Sequence, residues 1–316
     1  MAKILVLGAS GFIGTNLVIK LAQDKENQIT LVDKQIEYFS NIQKFNLPNT
    51  IIKIASLDNN DDFSYLYGQD IIYHLVSSNV PTTSNQHISY DIEANVLFSS
   101  KLFDACIKYG IKKVVFLSSG GTVYGKDAIC PLSENAPTNP VSSYGMQKLT
   151  IEKLLYLYNY MYGLDYRIIR LSNPYGPYQR PNGVVGAVTT FTYKALKGDE
   201  IQVYGDGSVV RDFIYIDDVI KGILNIVNGD NKHHTFNLGY GNGTSIKELL
   251  ETIEKTLDVK LNIVYTPARM VDVPVNYLDI SRYEKYYGSL CSISLEEGIK
   301  KTAEFMKAEL FVATKE

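Results

Sequence analysis

The sequence predicts an α/β fold: a doubly wound parallel sheet followed by a smaller mixed α/β lobe at the C-terminal end. Three observations predict it. Short apolar runs alternate with helix-length amphipathic stretches through the first half, a glycine-rich turn joins the first run to the first helix, and past Arg170 the alternation dissolves into a loop punctuated by glycine and proline. Strands covered by helices on both faces are apolar throughout, and parallel neighbours need a crossover long enough to hold a helix. At 316 residues the chain exceeds the usual size of one core, so a second lobe is expected, with the boundary between 1–170 and 171–316 and some later elements returning to the first domain.

In order, the expected strands are Lys3 to Leu7, Gln28 to Val32, Thr50 to Ile54, Asp70 to Leu75, Lys112 to Leu117 and Tyr166 to Arg170. Each is a short run rich in Ile, Val or Leu. Helices fall between them, and the two longest, Tyr90 to Tyr109 and Gln147 to Tyr162, carry apolar residues at three- and four-residue spacing. Asn173-Pro174-Tyr175-Gly176-Pro177 then breaks the pattern and opens the second lobe.

Composition narrows the partners. Hydrophobic residues make up 45% and charged residues 21%, the balance of a globular protein, and 31 basic against 34 acidic side chains leave a net charge of −3. That is too near neutral to attract nucleic acid or anionic lipid. Cys106, Cys130 and Cys291 are odd in number and widely spaced, which suits neither a disulfide framework nor a metal site, so a reducing, cytoplasmic setting is expected and no metal. The apolar run Ile4 to Leu7 is interrupted by Gly8, Ser10, Gly11 and Gly14 too soon for a signal peptide. No segment reaches the ~18 continuous apolar residues of a membrane span.

The interrupting residues carry the first chemistry. Gly8-Ala9-Ser10-Gly11-Phe12-Ile13-Gly14 follows the first strand and opens a helix, where glycines permit a tight turn and let backbone N–H groups approach a pyrophosphate at the positive end of the helix dipole. A lone glycine turn would mean little. Here Asp33 closes the second strand 19 residues past Gly14, where a carboxylate accepts hydrogen bonds from an adenosine ribose and repels a 2′-phosphate. The expected cofactor is NAD rather than NADP. Asp58, after the third strand, is either an adenine contact or a solvated loop aspartate.

The second chemistry lies in Ser143-Tyr144-Gly145-Met146-Gln147-Lys148. On a helix, residues four apart share a face, so Tyr144 and Lys148 point the same way. An ammonium beside a phenol favours the phenolate, which makes Tyr144 a candidate general base. With 24 tyrosines in the chain the pair also arises by chance, and its weight comes from context. The fifth strand ends in Ser118-Ser119, at the C-terminal edge where open parallel sheets bind ligands.

With these motifs in order, the sequence resembles the extended short-chain dehydrogenase/reductase family, with its Rossmann nucleotide-binding domain, and within it the nucleotide-sugar 4-epimerases and dehydratases. The resemblance covers nearly the whole chain. Its carriers are Gly8 to Gly14, His74-Leu75, Ser118 to Gly125, Tyr144 with Lys148, Arg170 to Pro177, Tyr204 to Gly207, Arg211 to Tyr215, and Arg269 with Asp272. It implies that Gly8, Gly11, Phe12, Ile13, Gly14, Asp33, Asp58, Leu75 and Ser118 hold NAD. It also implies that Tyr144 removes a sugar hydroxyl proton while Lys148 lowers its pKa and holds the nicotinamide ribose. The family's usual serine or threonine two places after Ser118 is Gly120 here, and Ser119 and Thr122 are the nearby hydroxyls that could replace it, Thr122 preferred.

The same run separates reactions. Sugar 4,6-dehydratases of the family carry an Asp-Glu pair where this chain has Gly121-Thr122, decarboxylases carry a Glu at the second of those positions, and C3/C5 epimerase-reductases use a cysteine and histidine that this run lacks. The resemblance therefore implies redox chemistry at C4 alone: an NAD-dependent 4-epimerase of a UDP-linked hexose, or a 4-keto-reductase of a nucleotide-linked deoxysugar. For the second lobe it implies that Asn173, Arg211 and Arg269 grip the diphosphate, that Tyr204 stacks on the base, and that Asp272 accepts from a ribose. Asn276, where some relatives carry a bulky tyrosine, leaves room for an N-acetyl group or is a turn residue. Singly, each could be a loop cap, surface ion pair or core aromatic. Leu154, Leu155, Tyr158, Met161 and Tyr162 exceed what one sheet face needs, so a homodimer is expected, and supply of polysaccharide precursors or galactose metabolism would both suit such an enzyme.

Overall fold

The computed structural model describes residues 2–56, 62–78, 84–181, 186–230, 232–268 and 273–309. The chain forms two compact units, one of Met1–Val123, Pro140–Arg170 and Ile226–Phe236, the other of Tyr124–Asn139, Leu171–Asn225 and Asn237–Glu316.

The first unit is built on strands β1 (Lys3–Leu7), β2 (Gln28–Asp33), β3 (Thr50–Ile54), β4 (Ile71–His74), β5 (Lys113–Ser119) and β6 (Asp165–Leu171). With the strand Thr235–Leu238 on the outside of β6, the sheet runs β3-β2-β1-β4-β5-β6 and is seven-stranded. The pairs β1/β2, β2/β3, β1/β4 and β4/β5 are parallel. This is the doubly wound order, and the chain reverses its winding between β1 and β4. Leu7 pairs with His74 there, so the loops after β1 and β4 leave the sheet side by side.

The apolar faces explain why the sheet forms. Leu5, Leu7, Val114, Phe116 and Ile168 from the strands pack with Phe98, Leu102, Ile151, Leu155 and Tyr158 from the covering helices in one cluster. β5 continues two residues past its expected end at Leu117, to Ser119. The helix Ser143–Tyr162 starts four residues before Gln147, because Ser142 accepts a hydrogen bond from Gly145 N–H and caps it; Gly163, at φ +72°, ends it.

The expected helix Tyr90 to Tyr109 is not uniform. It is α-helical at Ile88–Asp91, widens to a π-helical turn at Ile92–Leu97 and returns to α-helix at Phe98–Tyr109. Asn95 Nδ2 donates to the Asp91 carbonyl and Ser99 Oγ donates to the Asn95 carbonyl, so side chains compete with the regular ladder at this turn.

The second unit is mixed. It contains the parallel pair Asn173–Tyr175 with Phe213–Tyr215, the parallel pair Glu200–Tyr204 with Asn262–Thr266, and a small sheet of Thr244–Ser245, Val210–Arg211 and Val275–Asn276. Helices Ala187–Lys197, Ile246–Leu257 and Leu295–Glu309 accompany them. Ser245 and Glu248 close a capping box on the second of these. No described helix is long and apolar enough to cross a membrane.

Candidate active site

The glycine turn takes its shape from close approaches. Gly8 leaves β1 at φ +80°, donates to the Val32 carbonyl at 3.0 Å, and lies so near the next loop that a Cβ would stand 3.3 Å from Leu75 C and Val76 N. A Cβ on Gly14 would overlap the Gly8 carbonyl oxygen and sit 2.7 Å from that of Ala9. The helix α1 (Phe12–Leu21) begins with Gly11 at its N-cap, which has no side chain to cap the first N–H groups. Those of Phe12, Ile13 and Gly14 point out of the helix end. A bare, positive helix end reached by a glycine-rich turn is the cradle a pyrophosphate fits, so the residues present suit NAD.

Asp33, at the end of β2, holds this turn. Its Oδ2 accepts from Ser10 N–H at 3.1 Å and Ser10 Oγ at 2.5 Å, and Oδ1 accepts from Lys34 N–H. Leu75 donates its N–H to the Leu7 carbonyl, which seats it beside Gly8 at the winding reversal. Ser118 is buried, and its hydroxyl is turned away from the strand end toward Glu152, to which it donates at 2.5 Å.

Tyr144 and Lys148 share a face of the Ser143–Tyr162 helix as the spacing predicts. The lysine is buried; its Nζ donates to the Leu117 carbonyl at 2.9 Å and lies 4.8 Å from the centre of the Phe116 ring and 5.6 Å from that of Tyr144. It sits over the tyrosine ring rather than against the phenol oxygen. The expected lowering of the Tyr144 pKa by Lys148 is accordingly not found. Burial pushes the phenol up to about 12, and the ammonium is pulled down to about 8 by burial, with Glu152 opposing that fall.

A glycine lets Thr122 approach the start of the same helix. Gly145 lets the Thr122 carbonyl approach so closely that a Cβ would stand 2.7 Å from that oxygen and 2.9 Å from Pro140 Cβ. Thr122 Oγ1 is buried with no hydrogen-bond partner among the described residues. Ser119 lies one turn away, its carbonyl accepting from Thr122 N–H at 3.3 Å.

Val76, Ser77, Asn95, Gln147 and Ile151 line a small crevice together with Tyr144 and Lys148. The sequence did not single these residues out. Asn95 Nδ2 lies 2.8 Å from Gln147 Oε1 and 2.8 Å from Ser78 Oγ, and Gln147 Nε2 donates to Ser143 Oγ. Gln147 and Glu152 stand beside or one turn from Lys148, a signal the helical spacing already held, whereas nothing in the linear sequence marks Asn95. A larger hollow of about 370 Å³, between Asp62, Phe63, Asp104, Ala105, Lys108 and Tyr109, contains none of the expected residues.

In the second unit, Asn173 starts its strand and donates Nδ2 to the Asp212 carbonyl. Arg211 and Asn276 are register partners in the small sheet, so the structure sets these two side by side. Arg211 Nη1 donates to the Val210 and Val273 carbonyls, and Asn276 is buried. Tyr204 is 39% exposed at the end of its strand. Asp58, Arg269 and Asp272 lie outside the described residues. On the Ser143–Tyr162 helix, Leu155 and Tyr158 belong to the core, while Met161 and Tyr162 are exposed with Tyr156, Leu157 and Tyr160.

Fold and site together define a dinucleotide-binding α/β protein of doubly wound order, with a tyrosine and lysine presented at the carboxyl edge of its sheet. Residues 4–239 match the NAD dependent epimerase/dehydratase family, and the chain belongs to that family, whose cofactor is NAD. It is 32% identical over 311 residues to a UDP-glucose 4-epimerase of Mycolicibacterium smegmatis, covering 96% of this chain and 98% of that one. It is 29% identical over 322 residues to a dTDP-4-dehydro-6-deoxyglucose reductase of Escherichia coli, covering 97% and 98%. A solved UDP-N-acetylglucosamine 4-epimerase of Methanobrevibacter ruminantium M1, in complex with UDP-N-acetylmuramic acid, superposes with a TM-score of 0.91 at 30% identity over 98% of this chain and 99% of that one.

Proposed function

We propose that this protein is an NAD-dependent 4-epimerase of a UDP-linked hexose, either glucose/galactose or their N-acetyl forms. The observation that carries the reading is Tyr144 and Lys148 on one helix face, in a chain with Gly121 and Thr122 where relatives that eliminate water or carbon dioxide carry acids. Hydroxyls and a phenol suffice for oxidation and reduction at C4; dehydration across C5 and C6 needs an acid and a base that Gly121 and Thr122 do not supply. Tyr144 takes the C4 hydroxyl proton and later returns one, and Thr122 Oγ1, buried without a partner among the described residues, donates to the same oxygen. Lys148 provides the positive charge that a phenolate needs. NAD, when bound, supplies a reversible two-electron acceptor, so the 4-keto sugar can be reduced again on either face.

Phe12, Ile13 and the three glycines hold the pyrophosphate, with Asp33 at the adenosine ribose. Asn173, Tyr204, Arg211, Arg269 and Asp272 bind the nucleotide, and Asn276 leaves space for an N-acetyl group. The exposed Tyr156, Leu157, Tyr160, Met161 and Tyr162 support a homodimer formed through this helix. The enzyme works in the cytoplasm and supplies sugar nucleotides for polysaccharide synthesis.

The similarity to a 4-keto-reductase, together with Gly120 in place of the usual hydroxyl, favours one second reading, a net reductase. Incubating the purified protein with UDP-glucose and UDP-N-acetylglucosamine and following C4 inversion by proton NMR separates them. Inversion without consumption of added cofactor is expected; stoichiometric NADH oxidation by a 4-keto deoxysugar, with no inversion, would overturn the epimerase reading.

A further inference from the structure

Glu152 lies one turn beyond Lys148 on the Ser143–Tyr162 helix and is 4% exposed. Arg170 grips its carboxylate, with Nε 3.1 and 3.2 Å from the two oxygens and Nη2 2.7 Å from Oε2, while Ser118 Oγ donates to Oε1 at 2.5 Å. A guanidinium fork of this kind fixes a carboxylate in one orientation. The carboxylate thereby joins the helix to β6 and to the end of β5, where the carbonyl of Leu117, adjacent to Ser118, accepts from Lys148 Nζ.

This interior cluster brings charged side chains together out of water. Lys148 and Arg170 are buried cations and Glu152 is a buried anion. His74 of β4, the other titratable group that faces Lys148, is kept neutral by burial, its pKa lowered to about 3. Tyr144, on the same helix, is a neutral phenol at ordinary pH. β5 presents only the Leu117 carbonyl and the Phe116 ring to the ammonium. Without a neighbouring carboxylate, a buried ammonium sheds its proton.

We propose that Glu152 is a positioning residue of this site, its carboxylate keeping Lys148 charged and fixed at the end of β5 so that the ammonium can stabilise the Tyr144 phenolate. This rests on the roles given above to Tyr144 and Lys148. Ser118 acts through the carboxylate, which accounts for its hydroxyl facing the interior.

The test is a direct titration of Lys148 in the full-length protein labelled with lysine carrying 13C at Cε, the resonance being assigned from its loss in K148R. E152Q removes the negative charge, and E152Q/R170M also removes the guanidinium that gripped it, so the titration does not depend on the stability of the single variant. The Lys148 midpoint is expected to fall by about one pH unit in E152Q, to fall less in the double variant, and to return toward wild type in E152D. The alkaline limb of kcat is expected to move with it. A midpoint that stays at the wild-type value in both carboxylate-free variants overturns the proposal. If the midpoint falls while kcat and its limb stay in place, the catalytic role of Lys148 is overturned instead.

Discussion

Replacing Thr122 with Val is expected to stabilise the fold and damage the chemistry at once. Thr122 Oγ1 is buried with no protein partner among the described residues, and leaving a buried hydroxyl unsatisfied costs about 1–3 kcal/mol. Val keeps the shape and removes the polar atom, so T122V should gain about 1 kcal/mol, which for a domain of this size raises Tm by about 2–4 °C. In the transition state the same hydroxyl would donate to an oxygen that carries developing charge, an interaction of about 1.5–3 kcal/mol. Its loss lowers kcat by roughly 10- to 100-fold. Calorimetry gives the first number and C4 inversion under saturating substrate gives the second. T122S, which keeps the hydroxyl, should recover most of the rate. A T122V protein that melts lower and turns over normally would show that Thr122 is a satisfied structural hydroxyl, and would refute both halves of the reasoning.

Y144F should cut kcat by at least about 10²-fold, the smaller end of what a general base contributes, with NAD affinity by fluorescence titration unchanged; normal turnover would remove Tyr144 from the mechanism. G14A forces a Cβ into the Gly8 carbonyl and should destabilise the first unit by about 1–3 kcal/mol and weaken NAD binding, both readable in melts with and without cofactor. The pH dependence of activity follows Lys148. If the ammonium is required, kcat falls as pH rises through about 8. Its effect on stability has the opposite sign: the folded-state pKa lies below the unfolded value of 10.5, the unfolded chain binds more protons between them, and this group alone makes stability rise with pH across that window. K148M should flatten that rise in urea titrations at pH 8 and pH 10.

Much of the first unit was legible because its signals are local. The apolar runs became β1 to β6 with shifts of a residue or two at their ends, and the glycine turn stands between β1 and α1 as its spacing required. Helical periodicity put Tyr144 and Lys148 on one face. What was not legible depends on packing. The π-helical turn at Ile92–Leu97 follows from Asn95 and Ser99 bonding backbone carbonyls, a competition that no periodicity reveals. Asn95 enters the crevice from 52 residues before Gln147, a neighbour only in space.

The residue types and their spacing determined by themselves that this chain folds as a doubly wound sheet, turns through glycines from its first strand into its first helix and aligns a phenol with an ammonium. Those outcomes rest on short-range geometry: a strand's length, a helix's 3.6-residue turn and the freedom of glycine. The electrostatic state of the pair was decided only in the tertiary structure. Desolvation, which no sequence displays, raises the Tyr144 phenol and lowers the Lys148 ammonium, and the opposing charge comes from Glu152, held by Arg170 of a separate strand. The approach of Thr122 to this helix was likewise a matter of packing, because its carbonyl closes on the helix start in the space that Gly145 leaves open.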